Sequence, residues 1–470
     1  MVGPQRLGSV SPSRGIIQAH LLKILIVIGV VIFFYTQFSW AANHYIRAGA
    51  TGSNNGSDWA NAWTVIPKSG GYAQLNRGDT YYVASGSYSG GYYFSTPESG
   101  TSTITIKKAT VADHGTSTGW SDSYATGQAT FGPWEFTTGY WTVDGGTGGG
   151  PGSWNSGHGF KFTASWCSGS GFNNHAIVTA GTNFIFRHLE FTNTCPAIDQ
   201  VSCDGFGGAI RAFEHPLKNS KIEYNYFHDW FGTFIWMYGW NTVTIQYNYF
   251  TKLAYGPNFC HGNVINENGK SDNIDVAYNY FYDNTGGQLC GISQGTEQVS
   301  NNWRIWGNIF EKGDDTLRWI NDSSNSTVAN NFKFYNNTIY NFIGNYFALK
   351  IDKNTSGTNQ AYNNIFYVCN GSAGWRNTTH DYNWYLECGS SGEPHGISGN
   401  GDPFINKSEK KFNLSPGSNA INTGVSLGSS YDVDMNGVSH PQGSAWDIGA
   451  YKFVTPSLLP PKKVKIISPN

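Results

Sequence analysis

Apolar and polar residues alternate with period two through short runs that end alike: an asparagine, an aromatic or aliphatic pair, then a polar turn. The runs are KIEYNYFHD (221–229), VTIQYNYFTK (243–252), IDVAYNYFYDN (274–284), WRIWGNIFEK (303–312), FKFYNNTIYN (332–341) and AYNNIFYVC (361–369). Period-two alternation predicts half-buried strands rather than helices. The matching asparagines are Asn225, Asn248, Asn279, Asn308, Asn337 and Asn364, spaced by 23, 31, 29, 29 and 27 residues. A recurrence of this length marks stacked supersecondary units. Asparagine tolerates the left-handed backbone that a sharp bend between strands requires. In stacked coils the asparagines fall above one another, and their amides bond up and down the stack. Their expected role is therefore structural.

The coil is too long for a hexapeptide repeat and too irregular for a propeller blade. It fits a three-strand coil with variable loops. Over residues 43–453 the chain resembles the secreted right-handed parallel β-helix proteins of the pectate-lyase-like superfamily. The resemblance implies an all-β fold: a right-handed parallel β-helix of three-strand coils of about 23–31 residues with a C-terminal cap. The mature N-terminus, from HYIRAGATGSNNGSDWANAW to RGDTYYVASGSY, is similar to the opening of such proteins. The stretch 412–453, with SPGSNAINTG and DIGAY, is similar to their terminal segment. An open stack needs its last apolar layer and sheet edges covered, which gives that segment a capping role.

Residues 1–41 read as a secretory signal peptide. Arg6, Arg14 and Lys23 precede a 12-residue apolar run, Ile24–Tyr35, and a small-x-small site, Ser39-Trp40-Ala41. No later stretch offers a membrane span. The expected organisation is then signal peptide 1–41, β-helix 42–411, cap 412–453 and a Pro-rich tail or linker 454–470, in a protein that is secreted or displayed on the cell surface. Removing residues 1–41 takes away three basic and no acidic residues and moves the formal charge from −2 to −5. A mildly acidic chain with 13% charged residues is not built to bind nucleic acid. Its 16% aromatic content suits both a β-helix core and the faces of sugar rings.

Seven cysteines in an exported chain imply disulfides. Cys195 with Cys203 and Cys369 with Cys388 are the expected pairs. Cys260 and Cys290 fall on adjacent coils, where they bridge or merely stack, and Cys167 is left over. The Arg77-Gly78-Asp79 tripeptide forms the turn before the strand YYVA rather than an adhesion motif.

Several motifs of the resembled enzymes are missing. There is no RxPxxR stretch. Asp314-Asp315 and Gly157-His158-Gly159 stand in the reverse order of the hydrolase pattern. Lys270-Ser271 matches the lysine step of chondroitinase-B-like lyases, but the next coil offers Gln288-Leu289-Cys290-Gly291 where their arginine belongs. The strand after each asparagine unit offers more. In TLRWIND (316–322) and YFALKID (346–352), Leu317, Trp319, Phe347, Leu349 and Ile351 alternate as an inward set. Arg318, Lys350 and Asp352 then face outward, with His261 and Asn263 at comparable positions and Glu267, Asp314 and Asp315 at the strand ends. Trp236 is a candidate sugar contact.

Cations, an imidazole and carboxylates on one face suit β-elimination on a uronate polysaccharide. His261 or Lys350 serves as base, and Arg318, or calcium held by carboxylates, neutralises the developing charge. A two-carboxylate hydrolase would draw on Asp314, Asp315, Glu267 and Asp352. Asp432, Asp434 and Asn436 match the first half of a structural calcium loop, without its distal Glu. The alternative is a non-catalytic glycan-binding or adhesion protein on the same scaffold.

Overall fold

The computed structural model describes Met1, Gly3, Pro4 and residues 41–455, apart from 89, 165–174, 195–207, 213–215, 255–261, 294–295, 320, 322–325, 345–346, 372, 390–391 and 442–443. Most of the expected signal peptide, the tail, His261 and four cysteines (Cys167, Cys195, Cys203 and Cys260) lie outside the described residues. The chain divides into two units, Met1–Ala42 and Asn43–Asn470, and the fold belongs to the second.

From Asn43 to Gly399 the described residues form a right-handed parallel β-helix. Each full coil contributes one strand to each of three long parallel sheets of 13, 12 and 11 strands. The first sheet runs from Asn43–Ile46 to Thr378–Asp381, the second from Gly86–Tyr88 to Ile397–Gly399, and the third from Lys68–Ser69 to Leu349–Ile351. We call the third the groove sheet. Parallel register places like residues in columns. Ile222, Ile245, Val276 and Ile305 follow one another across the first sheet, all buried. Phe191, Phe227, Phe250, Phe281 and Phe310 stack inside the second, with successive ring centroids 4.6, 4.8, 5.0 and 4.6 Å apart. Ring stacking of this kind adds to the burial of apolar area that drives the coils together.

The asparagines form a buried ladder at the corner between the first and second sheets. Asn225 Nδ2 donates to Asn248 Oδ1 (2.9 Å), and the same bond recurs from Asn248 to Asn279 (3.0 Å), Asn308 (3.1 Å), Asn337 (3.0 Å) and Asn364 (3.1 Å). A seventh rung, Asn383, follows Asn364 after 19 residues at 2.8 Å. Each Oδ1 also receives the backbone N–H of the preceding rung, and each second amide hydrogen reaches a backbone carbonyl, as Asn279 reaches Ile245 O (2.8 Å). One expectation is corrected. The left-handed residue is not the ladder asparagine but its predecessor: Tyr224, Tyr247, Tyr278, Asn336, Asn363 and Tyr382 have φ between 51° and 59°, and Gly307 has 64°. Inverting the backbone there leaves the asparagine free to turn its amide into the stack.

The C-terminal segment, expected to close the end of the stack, makes its contacts along the flank. Tyr278 donates to Val433 O (2.8 Å), Asn336 Nδ2 to Asp447 O (2.9 Å) and Asn363 Nδ2 to Val425 O (2.8 Å). These bonds tie the segment to side chains of the left-handed corner residues, whose own N–H groups pair between coils, as Tyr278 N does with Trp306 O (3.2 Å) and Asn336 N with Tyr362 O (3.1 Å). Cys369 and Cys388 form the expected disulfide, and Cys290 is a buried free thiol. The Arg-Gly-Asp tripeptide is internal. Arg77 donates to Pro97 O, Gly139 O, Tyr140 O, Thr96 O and Thr138 Oγ1, and Asp79 pairs with His44.

Candidate functional site

The outward row of the groove sheet carries the chemistry. Register aligns Glu135 with Val178, Val178 with Arg211, and Arg211 with Trp236. Asn266, Cys290, Arg318 and Lys350 continue the row. At one strand spacing per step, the row from Glu135 to Lys350 is roughly 34 Å long.

Arg318 and Lys350 are register partners, as the alternation predicted, and each has a carboxylate at its side. Arg318 Nη1 donates to Asp315 Oδ2 (3.3 Å). Lys350 Nζ lies 3.9 Å from Asp352 Oδ2, and Arg376 Nη1 lies 3.2 Å from the other oxygen of that carboxylate. Leu317, Trp319, Phe347, Leu349 and Ile351 are buried behind them. Four expected members thus meet at one end of the row: Arg318, Lys350, Asp315 and Asp352.

The remaining candidates stand elsewhere. Glu267 faces inward, because it follows the outward Asn266 in a strand of only three residues, Ile265–Glu267. It is 2% exposed, its Oε1 accepts from Gly269 N (2.6 Å), and burial pushes its carboxyl up to about 7. It is not a groove carboxylate. Asn263 lies before that strand and donates to Asn266 Oδ1 (2.9 Å), so Asn266, not Asn263, occupies the row. Asp314 accepts from Gly286 N (3.1 Å) and pins a turn. Lys270 is exposed in the turn after the groove strand, off the row. Trp236 is on the row but only 4% exposed; Arg211 lies over its ring at 5.2 Å, and its Nε1 donates to Asn268 Oδ1 (2.8 Å). It supports the row rather than offering a stacking face. His228 is held between Asp229 (2.6 Å) and Glu190 (3.1 Å) on the second sheet, away from the groove.

The calcium readings fare no better. Both oxygens of Asp434 are occupied by backbone donors: Oδ1 by Asn436 N (2.8 Å) and Val438 N (2.8 Å), Oδ2 by Lys452 N (2.9 Å). The Asp432-x-Asp434-x-Asn436 run is thus a turn organised by a carboxylate that its own backbone satisfies. Among the described residues no group of three or more His, Cys, Asp or Glu is arranged to hold a metal. The donor set does not fit calcium, and no chemical step is routed through it.

Sequence reasoning missed the other half of the row. A cleft of about 520 Å³ opens beside it, lined by Glu98, Glu135, Val178, Thr182, Arg211 and Lys218 among others. Arg211 is oriented from behind by His175, whose Nε2 lies 2.8 Å from the guanidinium and whose Nδ1 accepts from Gly208 N (3.0 Å). Burial, and then the arginine charge, push this imidazole down to about 3, so it is neutral. The signals were present in the alternation of WEF (134–136) and GAIRA (208–212). The long insertions on either side hid their register.

No protein-family profile and no curated protein matches the sequence. Among solved structures, pectate lyase Pel9A superposes with a TM-score of 0.56 at 15% identity, over 89% of this chain and 98% of that chain. The PL6 family alginate lyase AlyGC matches at a TM-score of 0.34 and 12% identity, over 77% of this chain and 57% of that one. The first likeness is one of fold: the chain shares the parallel β-helix architecture.

Proposed function

We propose that the protein is an extracellular polysaccharide lyase that cleaves an acidic, uronate-containing glycan by β-elimination in the groove. The observation that carries this reading is the Arg318–Lys350 register pair, two basic side chains one strand apart on the outward row, each beside a carboxylate. Arg318 pairs with the uronate carboxylate and stabilises the enolate charge as it develops. Lys350 removes the proton α to that carboxylate. The electron pair forms the ring double bond, the glycosidic C–O bond at the β carbon breaks, and the proton taken up by Lys350 passes to the leaving oxygen. The printed name of Pel9A, a pectate lyase on the same fold, suggests polygalacturonate as the first substrate to test.

The test is to incubate the purified secreted chain with polygalacturonate and alginate, following the absorbance of the unsaturated product together with reducing ends. The expected result is unsaturated product from the native chain and its loss in Arg318→Ala and Lys350→Ala, with circular dichroism unchanged. Binding without product supports the glycan-binding alternative. Neither binding nor product overturns both readings.

A further inference from the structure

We propose that Arg376 is a further substrate-binding residue: its guanidinium takes the carboxylate of the uronate next to the one that Arg318 holds. The inference rests on the acidic-glycan reading above and extends it from one sugar to two.

The argument starts where the groove sheet stops. Among the described residues its last strand is Leu349–Ile351. In the following coil the chain runs from Ile365–Cys369 of the second sheet to Thr378–Asp381 of the first, and residues 370–377 cross in place of a groove strand. Within that crossing Trp375 makes a single antiparallel bridge to Lys350. Its backbone therefore lies about one strand spacing past Lys350, and Arg376 is the next residue.

The crossing is held on every side. The disulfide ties its start, Cys369, to Cys388. The Trp375 ring stacks on His380 (4.6 Å), meets Phe366 edge-on (5.8 Å) and donates through Nε1 to Tyr385 Oη (3.1 Å). Asn377 Nδ2 donates to Ile351 O (3.0 Å) and Asp352 O (2.9 Å), the end of the last groove strand. Arg376 stands between two anchored neighbours.

Its side chain is nonetheless 68% exposed, whereas that of Asp352 is 12% exposed. Nη1 donates to Asp352 Oδ1 (3.2 Å), and Asp352 is the one side-chain partner of Arg376 among the described residues. The other Asp352 oxygen accepts from Asn321 N (3.2 Å). One of five guanidinium donors is thus engaged, by a carboxylate that is itself largely withdrawn from solvent. An ion pair this exposed adds little to the stability of a fold. A guanidinium fork on a fixed backbone, one strand beyond the reacting sugar, is suited to grip a second carboxylate with two parallel hydrogen bonds. Because the backbone is already ordered, little conformational entropy is lost when the sugar binds.

The experiment measures steady-state kinetics of the native chain, Arg376→Ala and Arg376→Lys by the absorbance of the unsaturated product. Two substrates are compared: the uronate polymer that gives product, polygalacturonate or alginate, and the same polymer with half its carboxyls methyl-esterified. On the unesterified polymer Arg376→Ala is expected to raise KM about tenfold with kcat within about twofold, and Arg376→Lys to fall between. On the esterified polymer, which offers fewer carboxylates to pair, the KM penalty of Arg376→Ala shrinks. A purely structural role would impose the same penalty on both substrates. An unchanged KM, a loss confined to kcat, or equal penalties on the two substrates overturns the inference and leaves the lyase reading standing. Absence of product from the native chain on either polymer overturns the lyase reading, and this inference with it.

Discussion

Glu393 terminates the asparagine ladder by gripping Asn383 twice: its Oε2 accepts the backbone N–H (3.0 Å) and its Oε1 the side-chain amide (2.9 Å). A neutral rung always passes unsatisfied N–H donors to the next, and a carboxylate can end the series because it only accepts. His380 Nδ1 (2.8 Å) and Tyr385 Oη (2.5 Å) converge on the same Oε1. Burial alone would raise the Glu393 carboxyl, but the hydrogen bonds from His380, Tyr385 and Asn383 outweigh it and hold it below the ordinary range. A depressed acid contributes its stability above its unfolded pKa and loses it as pH falls through the folded value. Glu393→Gln is expected to cost about 1–3 kcal/mol near neutrality, with the difference from the native chain closing on acidification. Urea midpoints of both proteins from about pH 7 down to about pH 3 check this.

An interior rung is less forgiving. Asn308 accepts from Asn279 N (2.9 Å) and Asn279 Nδ2 (3.1 Å), and it donates to Val276 O (2.8 Å) and Asn337 Oδ1 (3.0 Å). Asn308→Ala leaves those partners buried and unsatisfied, an expected loss of about 3 kcal/mol or more. Asn308→Asp keeps the acceptors but turns a charge toward two oxygens, so it should be worse at neutral pH and partly recover in acid. Thermal unfolding at two pH values separates the two variants.

Glu267 carries the opposite linkage. Burial raises its carboxyl to about 7, so the folded chain holds a proton that the unfolded chain releases at the ordinary carboxylate value. Stability therefore declines as pH rises between about 4.5 and 7, and the penalty persists above that window. Glu267→Gln should flatten the profile there and be more stable than the native chain at alkaline pH. A native-like slope in the variant would assign the pH dependence to other groups.

Cys290 lies in the groove row between Asn266 and Arg318, yet it is 1% exposed. Burial pushes its thiol up to about 12, although the Arg318 charge works in the other direction. The thiolate is the reactive form, so alkylation at neutral pH should be negligible in the folded protein and complete in denaturant. Site-resolved mass spectrometry after iodoacetamide treatment reads the difference at this residue. Labelling of Cys290 in the native state would show that the row opens.

The fold was legible because its strongest signal is local. An asparagine after a short alternating strand needs no knowledge of the loops, and six of the seven ladder positions stand out at spacings of 23–31 residues. Asn383 escaped because its coil is shorter, and the left-handed site was displaced by one residue because tyrosine rarely adopts that backbone. The groove was legible only where alternation persists. TLRWIND and YFALKID placed Arg318 and Lys350, whereas the three-residue strand Ile265–Glu267 is too short to declare its parity. Reading Ile265 as inward would have turned Glu267 inward as well. Glu135 and Arg211 come from coils whose strands follow long insertions, where sequence spacing no longer reports position in the stack.

From Asn225 to Asn383 the ladder fixes one corner of each coil and leaves the others unconstrained. From the second sheet to the groove sheet the chain passes from Ala254 to Ile265 in one coil and from Phe231 to Thr233 in another, without disturbing the rungs. Inheritance can therefore lengthen or replace the segments bordering the groove freely, but it can extend the ladder only in whole coils, each bringing its own asparagine. The protein is a ruler with fixed gradations on one edge and an editable margin on the other.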